Sequence, residues 1–180
     1  DFCLSRGLGD VYKRQLDGGL AAWRSAGSPL ETCHPERSER SRRTRGHLAI
    51  SLHPELLADA DDVLASLGTH GLNVVDARAG DRFRGEIEPL DRAAGHIPGA
   101  RNRWFKENYD PSGRLKTAQE LRTEYAAYGD PSRIVHQCGS GISSAVNALA
   151  MERAGLRGWR LYPGSWSEWV SDPSRPIETG

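Results

Sequence analysis

The stretch VHQCGSGISSAV, Val135 to Val146, sets one cysteine between a short apolar run and two glycines, with serines where a helix would begin. A strand ending at Cys138, followed by Gly139, Ser140, Gly141, Ile142 and Ser143 and then a helix, can curl so that successive backbone N–H groups point inward. The helix start adds unsatisfied N–H groups and the positive end of its dipole. Such a nest stabilises a thiolate, so the Cys138 pKa is expected below the ordinary thiol value of about 8.5. The thiolate is the form that attacks. The competing reading is a buried structural thiol, because free cysteine is among the most buried side chains.

Two further patterns narrow the chemistry. A cysteine phosphatase loop of the C-x5-R type needs an arginine to clamp phosphate oxygens. Ser144 occupies that place, and the next arginine is Arg153. Phosphate ester cleavage is therefore disfavoured. In DARAGDRFRGEIEPLD, Arg78, Arg82 and Arg84 follow a β-branched run and would stand at the same sheet edge as the cysteine loop. Guanidinium forks pair with carboxylates or sulfonates, so these arginines are candidates for an anionic substrate, against the alternative of a solvated face. Asp76 is read as fixing loop backbone or an arginine rather than acting as a base.

These loops need strands and helices to position them. HPELLADADDVLASLG has apolar residues at Leu56, Leu57, Ala60, Val63, Leu64 and Leu67, a helical period stopped by Gly68. NVVDA and RIVHQC are short buried strands, GHIPGARN is a turn with a short strand after it, and WRLYP is another strand. Thr117 to Tyr128 reads as a helix, with Thr117 as N-cap and Glu120 completing a capping box. SSAVNALAMERAG is a helix ending at Gly155, and GSWSEWVSD starts a last short one. Strands alternating with helices predict an α/β domain whose mainly parallel sheet is covered on both faces.

Composition bounds the rest. Lys+Arg and Asp+Glu balance at 24 each, so no global field favours nucleic acid or an anionic membrane as partner. No apolar run reaches the ~20 residues that span a bilayer, and no signal-like start is present. Cys3, Cys33 and Cys138 lie far apart without CxxC spacing, which argues against a zinc site or disulfide framework and for a reducing cytoplasm. No metal or other cofactor is expected. Three zones are read: 1–31, 32–47 and 48–180. The first contains LDGGLAAWRSAG, a turn and short helix closed by Gly27 and Pro29, while residues 1–15 resemble translated adapter sequence and carry little weight. The second, rich in Arg, Ser and Pro, reads as a disordered linker, and its CHPERSERSR resembles translated repeat DNA. Gly18 and Trp23 echo Gly164 and Trp169, which suggests a duplication.

Together, VVDARAGDRFRGE, AGHIPGARN, the CGSGISS loop and LYPGSWSEW resemble the rhodanese superfamily, in particular the second domain of two-domain sulfurtransferases. The resemblance implies that residues 48–180 are that catalytic domain and that 1–31 are the end of a first one, so the chain reads as a fragment. It implies transfer of a sulfane sulfur through a Cys138 persulfide, with a small-molecule donor and a thiol or cyanide acceptor, the thiol being small or on a thioredoxin-like protein. The uncharged CGSG followed by Ile142-Ser143 is closer to the 3-mercaptopyruvate type than to the thiosulfate type.

By the same resemblance, Arg82 in RFRG binds the donor carboxylate and Ser140 assists departure of the enolate. Amides of Gly139, Gly141, Ile142 and Ser143 line the cradle. Arg84 and Arg92 are further substrate-binding candidates, although the spacing before GHIPG is shorter than the family's. Trp104 stands where the family usually has proline. The first domain normally covers one side of the cleft, so the alternative is a catalytically weak relay or interaction module.

Overall fold

The computed structural model describes residues 24–27, 53–69 and 71–180. The chain divides into two compact units, Asp1–Gly46 with Pro111–Arg114, and His47–Asp110 with Leu115–Gly180. In the first, Arg24–Gly27 is an exposed turn closed by the Gly27 N–H on the Arg24 carbonyl at 3.0 Å. The expected linker, Gly18, Trp23, Cys3 and Cys33 lie outside the described residues.

The second unit is built on four parallel strands: β1 (Asn73–Asp76), β2 (Arg101–Asn102), β3 (Ile134–Gln137) and β4 (Arg160–Leu161), in the order β2-β1-β3-β4. Val74 pairs in register with Val135, and Val75 with His136. Because side chains alternate across a strand, each such pair shares a face. Helices α1 (Ala60–Ser66) and α5 (Ser165–Trp169) cover the Val74 and Val135 face, where Val63, Ile97, Tyr162, Trp166 and Trp169 are buried. Helices α3 (Ala118–Tyr125) and α4 (Ser144–Arg153) cover the other face, where Leu121, Tyr125, Ala150 and Met151 pack on Val75 and Ile134. The α/β fold with helices on both faces is as expected. A four-residue helix α2, Gly80–Phe83, follows β1.

The capping box at α3 forms as the sequence implies: the Thr117 hydroxyl accepts from Glu120 N–H, and the Glu120 carboxylate accepts from Thr117 N–H. Such a cap contributes about 1 kcal/mol. The segment 53–68 is different from the single helix expected. A 3-10 turn at Pro54–Leu56 ends where Leu57 forms an isolated parallel bridge with Leu161, and Ala58 N–H donates to the Leu161 carbonyl at 2.8 Å. Asp59 then starts α1 with its own capping box to Asp62. Extending the sheet edge at Leu57 overrides the apolar period. Among the described residues no helix is long and apolar enough to cross a membrane.

Candidate active site

All four strands present their carboxyl ends at one edge, and three of the segments that follow them meet there: the cysteine loop after β3, the arginine loop after β1 and the start of α5 after β4. Cys138 is buried, at 1% exposure. Burial pushes its thiol pKa up, but hydrogen bonds from the Ser143 and Ser144 hydroxyls and from the Ser144 and Ser140 backbone outweigh it and bring the pKa below the ordinary value. The Ser144 hydroxyl has one proton and two acceptors in reach, the thiolate and the Gly141 carbonyl at 3.0 Å. Ser143 has no such second acceptor in view, so it is the clearer donor.

The loop is held from behind by the start of α5. The Cys138 N–H donates to the Ser165 hydroxyl at 3.1 Å, and that hydroxyl donates to the Tyr162 carbonyl at 2.9 Å. Ser165 adopts φ 54°, the left-handed region that costs a non-glycine residue roughly 1–2 kcal/mol. The two hydrogen bonds of a fully buried hydroxyl offset it. Trp166 and Ser167 N–H groups donate to the Cys138 and Gly139 carbonyls at 3.0 and 2.9 Å. Gly141 has φ 79°, and a Cβ there would lie 2.3 Å from the Pro163 carbonyl oxygen. Of the two loop glycines, it is Gly141 whose turn demands the missing side chain. Ser140 is exposed, Gly139 and Ser143 are half-buried, and Ile142 is 78% exposed at the loop's tip.

The arginines separate into distinct roles. Arg78 is buried: its backbone N–H and guanidinium both donate to the Asp76 carboxylate, it also meets Glu88, and it stacks on Trp166 at 4.7 Å. Asp76 therefore fixes both loop backbone and an arginine. The Arg82 guanidinium stands 3.6 Å from where a Cβ on Gly139 would be, at the cysteine loop. It pairs with Glu88 at 2.6 Å and Asp91 at 3.3 Å. Arg84 is placed elsewhere, paired in solvent with Glu86 across the turn at Gly85, φ 78°. Arg92 donates to the Val170 carbonyl at 2.5 Å and to the Ser171 carbonyl, at the end of α5. Of the four arginines considered, Arg82 is the one the structure brings beside the loop. Trp104 packs edge-on to Phe105, with Lys106 over its ring.

Sequence reasoning missed Ser144, Ser165 and Ser167, and the carboxylates that hold Arg82. The Ser167 hydroxyl lies 2.6 Å from Asp91 Oδ1 and 2.8 Å from the Gly139 carbonyl, linking the two loops. The available signal was positional: both Ser165 and Ser167 follow β4, beside the β3 end that carries Cys138. Among the described residues no group of three or more His, Cys, Asp or Glu side chains could hold a metal.

A cysteine at the end of a parallel strand, cradled by serines and braced from the next strand's helix, matches a family profile. The rhodanese-like domain matches residues 59–172. The chain belongs to the rhodanese family. It is 45% identical over 168 residues to a probable 3-mercaptopyruvate sulfurtransferase of Pseudomonas aeruginosa, covering 92% of this chain and 57% of that protein. It is 39% identical over 171 residues to a putative thiosulfate sulfurtransferase of Mycobacterium tuberculosis, covering 93% and 57%. The chain thus spans little more than half the length of these rhodanese relatives. The solved structure of an anaerobic ergothioneine biosynthesis enzyme from Chlorobium limicola shares the fold, with TM-score 0.74 at 24% identity over 92% of this chain and 41% of that one.

Proposed function

We propose that this rhodanese-family chain carries the catalytic half of a sulfurtransferase, with Cys138 as the sulfur carrier. The observation that carries this reading is the lowered Cys138 pKa inside a ring of serine hydroxyls and backbone N–H groups. Such a ring favours the thiolate over the thiol, and equally a persulfide anion. Relatives named for 3-mercaptopyruvate and thiosulfate transfer support the reaction class.

With 3-mercaptopyruvate, the Cys138 thiolate attacks the donor sulfur and forms an S–S bond. The C–S bond breaks, its electron pair passes to carbon as the pyruvate enolate, and the proton from the donor's thiol, or from water, completes pyruvate. An acceptor thiolate or cyanide then attacks the outer sulfur, and the Cys138 thiolate leaves, a two-step covalent exchange. In this reading Arg82 receives the donor carboxylate, and Ser140, which is exposed, hydrogen-bonds the donor carbonyl. Gly139, Gly141, Ile142 and Ser143 shape the cradle. The acceptor is a small thiol or a thioredoxin-like protein, in a reducing cytoplasm, and no cofactor takes part. Residues 1–31 as the end of a first domain belong to the same reading.

Intact mass before and after donor treatment tests the carrier role. A gain of one sulfur atom, mapped to Cys138 and absent in Cys138→Ser, is expected. A gain that survives in Cys138→Ser, or none at all, sinks it. The second outcome would favour the other reading, a rhodanese-like interaction module. One observation speaks for that reading: Arg82 is already paired with carboxylates on two sides.

A further inference from the structure

Around the donor-binding arginine the charges do not sum to a simple anion site. Arg78 and Arg82 bring two positive charges, while Asp76, Glu88 and Asp91, each in ion-pair contact with them, bring three negative ones. The cluster carries one net negative charge. Glu88 is deeply held: its side chain is 3% exposed, and it also accepts from the Leu90 and Asp91 N–H groups at 3.1 and 3.2 Å. Asp91 is the looser partner. It reaches Arg82 at 3.3 Å rather than 2.6 Å, and its other oxygen is engaged by the Ser167 hydroxyl. That hydroxyl also touches the Gly139 carbonyl, so the Asp91 carboxylate lies at the seam between Arg82 and the cysteine loop.

We infer that Asp91 is a specificity-determining residue, selecting donors by charge: it competes for Arg82 and admits a monoanionic α-keto-acid thiol in preference to dianionic thiosulfate. The inference rests on the sulfurtransferase reading above. A donor anion that pairs with Arg82 must share the guanidinium with Asp91. Mercaptopyruvate brings one negative charge at neutral pH, on its carboxylate, and thiosulfate brings two. The second charge meets a cluster that is already net negative, in a partly buried setting where repulsion is less screened than in bulk water. Discrimination then comes from the repulsive element as much as from the attractive one.

Asp91→Asn keeps the shape and one of the two acceptor oxygens, which can stay with Ser167 or with Arg82, while it removes the charge. Rates of sulfur transfer from both donors are compared for the full chain, for Asp91→Asn and for Glu86→Gln, which removes an exposed carboxylate on Arg84. In Asp91→Asn the thiosulfate-to-mercaptopyruvate ratio of kcat/KM is expected to rise about tenfold, the size of one partly screened unit-charge interaction. The rise should fall on the thiosulfate KM and shrink at high salt. Glu86→Gln should leave the ratio where it was. A loss of activity equal for both donors would mark a merely structural Asp91 and overturn the inference, as would an unchanged ratio. A parent chain that moves sulfur from neither donor would instead bring down the sulfurtransferase reading, and this one with it.

Discussion

At the scale of single residues, the thiol of Cys138 is decided by a contest between two effects of opposite sign. Burial at 1% exposure opposes the charged form, and four hydrogen bonds favour it, with the bonds prevailing. The balance predicts a pH dependence. The difference in thiolate absorbance between the parent and Cys138→Ser should titrate with a midpoint below that of a free cysteine, and Ser143→Ala should move the midpoint up. Because the folded pKa is depressed, thiolate binding contributes stability that is complete above the ordinary thiol pKa and is lost as pH falls through the folded value. A midpoint at or above the free value would show that desolvation wins after all. The cradle around Cys138 was legible, because glycines and serines after a β-branched run have a chemical reason to sit together. The partners of Arg82 were not. Glu88 and Asp91 lie six and nine residues on, in a stretch with no helix or strand, where no periodicity says which way a carboxylate faces.

The loop between β3 and α4 is closed by close backbone packing as well as by the serine hydroxyls. Gly141 at φ 79° faces the Pro163 carbonyl oxygen, carbon and Cα, at 2.3, 3.1 and 3.2 Å from an added Cβ. No rotamer change relieves a clash with backbone, so Gly141→Ala must displace the strap before α5, and with it the Ser165 anchor of Cys138. A shift of this kind, near 1 Å, can lower turnover by about 100-fold, and the strained φ adds roughly 1–3 kcal/mol of destabilisation. Gly139→Ala meets only the Arg82 guanidinium, at an ordinary 3.6 Å, and should fold with little loss. Thermal midpoints and transfer rates of the two variants should therefore diverge. Equal behaviour would mean that the Pro163 strap yields freely. The element boundaries show what sequence carries well and badly. The Thr117 and Glu120 cap was legible because both partners are local. The break before Asp59 was only half legible, because the bridge from Leu57 reaches Leu161, more than a hundred residues away. The signal overlooked was local, namely Asp59 and Asp62 at capping-box spacing inside an apparently continuous apolar period.

On the scale of the whole molecule, the central strand β3 couples the site to the stability of the sheet. Its residues are all buried, Val135 toward α1 and α5, and Ile134 and His136 toward α3 and α4. His136 is the odd member of that core. Its Nε2 lies 3.0 Å from the Met151 sulfur, and its Nδ1 has no hydrogen-bond partner. Burial first, and the Arg103 charge second, push its pKa down to about 3. The sign follows directly. Between the unfolded value of about 6.5 and the folded one of about 3, the unfolded chain binds a proton that the native state refuses. Stability must then decline as pH falls, with a slope approaching ~1.4 kcal/mol per pH unit once well below 6.5. Urea unfolding of the parent should lose roughly 1–2 kcal/mol between pH 7 and pH 5 from this group alone. His136→Leu fills the same apolar face without a titrating ring, so its unfolding free energy should be flatter over that interval. It should also be no lower than the parent's at pH 5, since a partnerless ring nitrogen is removed from the core. Parallel pH slopes in parent and variant would show that water or a shifted ring satisfies His136 in solution. A steeper parent slope would place a proton-sensitive joint one residue from Gln137 and two from Cys138, in the strand that holds that cysteine at the sheet's edge.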